Sequence, residues 1–216
     1  MGRRSQGEKV CASTPFYSPL DTPHTCVLAA LNQRRHSMAR ALDRLTEQVD
    51  ELSQVVLMVV ETLRTGHKVL VVGNGGSAAG AQHFASELVG RFKRERAPYA
   101  VLSLATDTAV LTALSSDYGY EDVFARQVQA FGQPGDLLLA FSTSGESENL
   151  VRAACMGQQC RLHVLAFTGE RTSRLANQAH IALHVPETDT AMIQELHMIL
   201  IHLVCDLVES QLMLDD

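Results

Sequence analysis

The sequence predicts an α/β protein: a five-stranded parallel sheet covered by helices on both faces, with a helical pair before it and a long helix after it. Three observations carry this expectation. Five short apolar runs recur along the chain, most of them bounded by turn residues. Between them lie segments whose apolar residues recur at three- and four-residue spacing. Alternation of strand and helix is the signature of parallel sheets, whose strands are buried on both faces and joined by crossover helices.

Over residues 26–53, Val27, Leu28, Leu31, Met38, Leu42, Leu45, Val49 and Leu52 keep helical spacing and predict an amphipathic helix. A second helix follows to about Thr65, where Gly66 closes it. Residues 68–72 then read as a buried strand, short and rich in valine. Runs at 99–104, 136–141, 162–167 and 181–185 have the same character. Helical spacing places helices at 78–92, 108–115, 122–130, 150–158 and 174–178. The last helix, 191–212, is too apolar to face water all round and is expected to bury a face against partner subunits.

Composition narrows the function. A chain of 216 residues is long enough for one well-buried domain and too short for two ordinary ones. The expected division is an extension over 1–24 and a single domain over 25–216. A net charge of −6 leaves no broad cationic surface, so nucleic acid is not expected as a direct partner. The apolar run near residues 55–60 is interrupted by Glu61 and is far below the roughly 20 residues a membrane span needs. Cys11, Cys26, Cys155, Cys160 and Cys205 are an odd set without a CxxC pair, which suits reduced thiols. The first 24 residues carry early charges but no apolar core of a secretory signal, and read as a disordered, unexported extension. A cytoplasmic protein is expected.

In an open parallel sheet, ligands bind beyond the carboxyl ends of the strands, so the loops there hold the candidates. Gly73-Asn74-Gly75-Gly76-Ser77 follows a strand and precedes a helix. Its glycines let backbone N–H groups approach an anion, although a tight turn alone would also need them. It has neither the dinucleotide fingerprint nor the phosphate-loop lysine. Phe141-Ser142-Thr143-Ser144-Gly145-Glu146-Ser147 repeats that placement with four hydroxyls in six residues, enough to donate several hydrogen bonds to a phosphate. Helix capping would account for one or two of them. His83 and Glu87 share one helical face and suit a metal, a proton-transfer site or an ordinary hydrogen bond. His197 and His202 lie in the apolar last helix; His197 reads as a core residue, and His202 gains a role only beside His83 and Glu87.

GNGGS, AQHFASEL, STSGES and IQELH, in that order and at these separations, resemble the phosphoheptose isomerase branch of the SIS (sugar isomerase) domain family. The resemblance runs over about residues 27–212. It implies a SIS-type, flavodoxin-like three-layer sandwich that isomerises sedoheptulose 7-phosphate to D-glycero-D-manno-heptose 7-phosphate, binds one zinc per subunit and forms a homotetramer. Carried over by position, it implies His83, Glu87, Gln194 and His202 as zinc ligands. It implies substrate contacts at Asn74, Gly75, Gly76, Glu87, Ser116, Asp117, Ser142, Thr143, Ser144, Ser147 and Gln194, with Arg91 a weaker candidate nearby. Ser116 replaces the asparagine that family members commonly carry before the aspartate, and its shorter reach bears on sugar preference. Eight residues of straight helix would separate Gln194 from His202 by about 12 Å. Gln194 therefore either precedes the helix proper or serves another part of a shared site, including one across a subunit boundary.

The chemistry so implied needs a base for a carbon-bound proton and an acid for the carbonyl oxygen, with an enediol between them. Glu87 is the expected base and His202 the expected acid. A second resemblance competes: Asp107-Thr108-Ala109-Val110-Leu111-Thr112-Ala113 and Cys205-Asp206-Leu207 look closer to a non-enzymatic SIS protein that binds the bacterial replication initiator. Retention of Glu87 and His202, of little use to an adaptor, favours the enzyme.

Overall fold

A computed structural model describes residues 22–214, which divide into two compact units after Ala39. The first unit holds most of helix α1 (Pro23–Leu45). Thr22 caps it, its hydroxyl accepting the Thr25 N–H at 3.3 Å. Val27, Leu28 and Leu31 are exposed along it. Residues 1–21, most of the expected extension, lie outside the described residues; Pro23 and His24, also assigned to it, are helical.

The second unit runs α2 (Val49–Arg64), β1 (Val69–Gly73), α3 (Gly76–Val89), β2 (Val101–Ser103), α4 (Thr108–Tyr118), α5 (Val123–Phe131), β3 (Leu137–Phe141), α6 (Glu148–Gln159), β4 (His163–Thr168), β5 (Ile181–His184) and α7 (Thr190–Leu212). All five strands are parallel, in the order β2-β1-β3-β4-β5. Every residue of β1 and β3 is buried, as an unbroken apolar run permits where helices cover both faces. Leu70, Val72, Leu138, Ala140 and Val164 face a core closed by Phe124 and Val128 of α5 and Leu150 and Ala154 of α6. Alternation turns Val69, Val71 and Leu139 to the opposite layer, where α7 packs against both α2 and α3.

Two expectations need correction. The expected helix over 26–53 breaks at a 3₁₀ turn, Thr46–Gln48. Its cause is Gln48, whose side-chain amide donates to the His184 carbonyl at 2.6 Å and accepts the His184 N–H at 3.0 Å, pulling the chain onto edge strand β5. Residues 174–178 form only a 3₁₀ turn, Ala176–Gln178. The Leu175 N–H is spent on the Gly145 carbonyl and that of Arg174 on the Glu146 carboxylate, so this segment braces the serine loop. Helix α7 is long and apolar enough to cross a membrane by length and composition alone, with a mean hydropathy of 1.6 over its most apolar window. Half of that window is buried, as in the core helix of a globular fold.

Candidate active site

Strand order reverses between β1 and β3, and their register pairs Gly73 with Phe141, so the glycine and serine loops leave the sheet side by side. Such a switch point is where open α/β sheets bind ligands. In the glycine loop, Gly75 has φ of 55°, a left-handed conformation suited to glycine. A Cβ on Gly76 would collide with the Gln194 side chain, which reaches across from α7. In the serine loop, the Ser142 hydroxyl accepts the Gly145 N–H at 3.0 Å and that of Ser144 the Glu146 N–H at 3.2 Å. Each keeps its own hydrogen to donate. Ser147 occupies the N-cap of α6 without making a side-chain capping bond, so capping does not account for the run of hydroxyls. A cleft of about 310 Å³ opens beside Thr143 and Ser144.

A second group forms where α3 meets α7. His83 Nε2 lies 2.8 Å from His202 Nε2 and 3.4 Å from Glu87 Oε1. The ring of Phe92 stacks on His202, with centroids 5.5 Å apart. Two imidazoles and a carboxylate are the donor types zinc prefers. Tetrahedral zinc holds nitrogen ligands about 3.3 Å apart, so the 2.8 Å contact is a hydrogen bond in which one ring donates and the other accepts. Among the described residues no three His, Cys, Asp or Glu side chains already close on one point. The donor set thus fits zinc in type, with the two rings needing to part by about half an ångström.

Gln194 belongs to neither imidazole. It sits inside the regular part of α7, which begins at Thr190 after an Asp189 cap, so irregular backbone before the helix is not what reconciles it with His202. It borders a cleft of about 370 Å³ between α3 and α7, with Gly76, Ser77, His197 and Phe141. His197 is buried there, and burial pushes its pKa down to about 4 although the Thr168 carbonyl opposes the shift. It is a neutral core histidine, as its setting suggests. Ser116 and Asp117 are exposed in the last turn of α4. Arg91 is surface-exposed and pairs with Glu95 at 3.5 Å.

Several residues that motif spacing does not flag hold these parts in place. Glu209, fully buried on α7, accepts the N–H groups of Phe92, Lys93 and Arg94 at 3.1, 2.9 and 2.9 Å and pairs with Arg96 at 3.2 Å. Burial raises its pKa, but those donors and the Arg96 charge outweigh it and leave the carboxyl below its ordinary value. Arg96 also donates to the Glu87 carbonyl at 3.0 Å, tying this loop to the end of α3. The segments that resemble the initiator-binding protein have local structural work: Asp107 caps α4, and Asp206 pairs with Lys93 and Arg94. Cys205 is buried, and burial, reinforced by Glu87 and Glu209, raises its thiol pKa far above the ordinary range.

A parallel sheet with two polar loops at its switch point is the architecture of a doubly wound α/β ligand-binding protein, and the family model for the SIS domain matches residues 35–169, which makes this a SIS-domain protein. Over 193 residues, 88% of this chain and 96% of the relative, it is 43% identical to the phosphoheptose isomerase of Thiobacillus denitrificans. Solved phosphoheptose isomerases from Neisseria gonorrhoeae and Francisella tularensis superpose with TM-scores of 0.79 and 0.81, at 38% and 36% identity. These cover 88% and 85% of this chain and 100% and 98% of their own. The chain belongs to the phosphoheptose isomerase family. That membership does not favour the initiator-binding alternative.

Proposed function

We propose that this chain converts sedoheptulose 7-phosphate to D-glycero-D-manno-heptose 7-phosphate through an enediol, opening a route to nucleotide-activated heptose. The carrying observation is the group of Glu87, His83 and His202 within 3.4 Å contacts, in a chain similar over 88% of its length to a phosphoheptose isomerase. The hydroxyls of Ser142, Thr143, Ser144 and Ser147, with the start of α6, bind the phosphate. Asn74, Gly75, Gly76, Ser116, Asp117 and Gln194 line the sugar.

Glu87 removes the proton from C1 of the ketose while His202 gives a proton to the oxygen on C2, which produces the 1,2-enediol. Return of a proton to C2 and loss of the proton on the C1 oxygen give the aldose, with no net gain or loss of atoms. His83, Glu87 and His202 are the residues that would hold zinc, with Gln194 reaching it only across a subunit boundary or serving the sugar instead. Zinc bound there supplies a Lewis acid for the sugar oxygens. A carboxylate engaged by metal is a weaker base, so the two roles of Glu87 compete. The exposed Ile199, Leu203 and Leu207 of α7, repeating every fourth residue, form an apolar stripe that supports burial against a partner subunit, and we assign the assembly as a homotetramer. We place the enzyme in the cytoplasm.

Glu87→Gln tests the assignment. Turnover should fall to background while sugar-phosphate binding by calorimetry persists; normal turnover would remove Glu87 from the chemistry.

A further inference from the structure

Asn74 of the glycine loop and Asn149 at the start of α6 exchange a reciprocal pair of amide hydrogen bonds. Asn74 Nδ2 donates to Asn149 Oδ1 and Asn149 Nδ2 to Asn74 Oδ1, each at 2.9 Å. The Tyr120 hydroxyl donates to the same Asn74 oxygen at 3.1 Å. Asn149 is 3% exposed, so water does not replace these bonds freely. A carboxamide has two acceptor sites and two N–H groups. Both acceptor sites of Asn74 are therefore taken, and one N–H remains for a ligand.

We propose that Asn149 and Tyr120 are positioning residues that fix the spacing between the glycine and serine loops, so that a sugar phosphate is gripped at both ends. This rests on the sugar-phosphate reading above. Gly73 and Phe141 leave the sheet in register, and beyond them the β1–β3 ladder no longer pairs the two loops with each other. Asn149 lies two residues beyond Ser147 on the serine-loop side, and its amide is the side-chain bridge to the glycine loop. Tyr120 adds the segment after α4, beside Ser116 and Asp117. The three stretches assigned to the sugar and the phosphate are thus joined through one amide oxygen of Asn74.

The consequence depends on ligand length. Inorganic phosphate needs only the serine loop, whereas a sugar phosphate needs both loops at the right separation. Breaking the bridge should weaken the long ligand and spare the short one. For Asn149→Ala, which removes both amide bonds and leaves Asn74 Nδ2 without its acceptor, the KM for sedoheptulose 7-phosphate should rise about tenfold; for Tyr120→Phe, which removes one of two donors to the Asn74 oxygen, it should rise about threefold. The inhibition constant of inorganic phosphate should stay within about twofold of the parent in both variants. Tyr120 is 55% exposed, so Tyr120→Phe keeps the test open should Asn149→Ala not fold. Unchanged KM values, or a parallel rise of KM and the phosphate constant, would overturn the positioning role. Failure of phosphate to inhibit the parent enzyme would instead overturn the serine-loop reading beneath it.

Discussion

His83 and His202, 119 residues apart in sequence, bring their Nε2 atoms to 2.8 Å where α3 crosses α7. Glu87, one turn beyond His83, joins them at 3.4 Å. The contact joins two helices through donor types that suit a zinc ion. If it is the metal site, metal analysis of dialysed protein should find a single zinc per subunit. His83→Ala and His202→Ala should each lose it while circular dichroism stays unchanged. Retention of zinc by both variants would place the metal elsewhere.

Ser144 is exposed at the mouth of the cleft and spends its acceptor on the Glu146 N–H. Its free hydrogen is what a phosphate would use. Ser144→Ala should raise KM about fivefold, the worth of one hydrogen bond near 1 kcal/mol, and leave kcat almost unchanged. Steady-state kinetics with the sugar phosphate decide this, and an unaltered KM would take Ser144 out of the phosphate site.

Glu209 stabilises the fold through a depressed pKa, and that sets the sign of its pH dependence. A carboxyl whose folded pKa lies below the ordinary 4.5 contributes fully above that value and loses the contribution as pH falls through the folded pKa. Glu209→Ala leaves Arg96 and three N–H groups without their carboxylate, a loss of about 3 kcal/mol at neutral pH. Urea unfolding should show that deficit at pH 7 and show it shrinking in acid below 4.5. A deficit independent of pH would mean the loss is one of packing.

Much of this was legible in residue order. The strands read correctly because β1, β3 and β4 are nearly continuous apolar runs, and burial on both faces leaves few other patterns possible. His83 and Glu87 were legible because helical spacing is local. What spacing does not carry is partnership across the fold. Nothing around Gln48 announces that its amide will pair with His184 and end a helix early. Tyr120 looks like an ordinary surface tyrosine until its hydroxyl meets Asn74. Glu209 sits in an apolar helix as an isolated charge, and only the loop over 92–96 shows why burial is tolerated. Asn149 had the clearest unused signal, an amide two residues after the serine run at a helix start.

The central claim is that this site moves a proton between adjacent sugar carbons. Incubating the zinc-supplied protein with sedoheptulose 7-phosphate and following the products by NMR tests it most directly. The account predicts growth of an aldose anomeric signal at the expense of the ketose until equilibrium is reached, and no such growth with Glu87→Gln. A ketose that binds yet remains unchanged would contradict it.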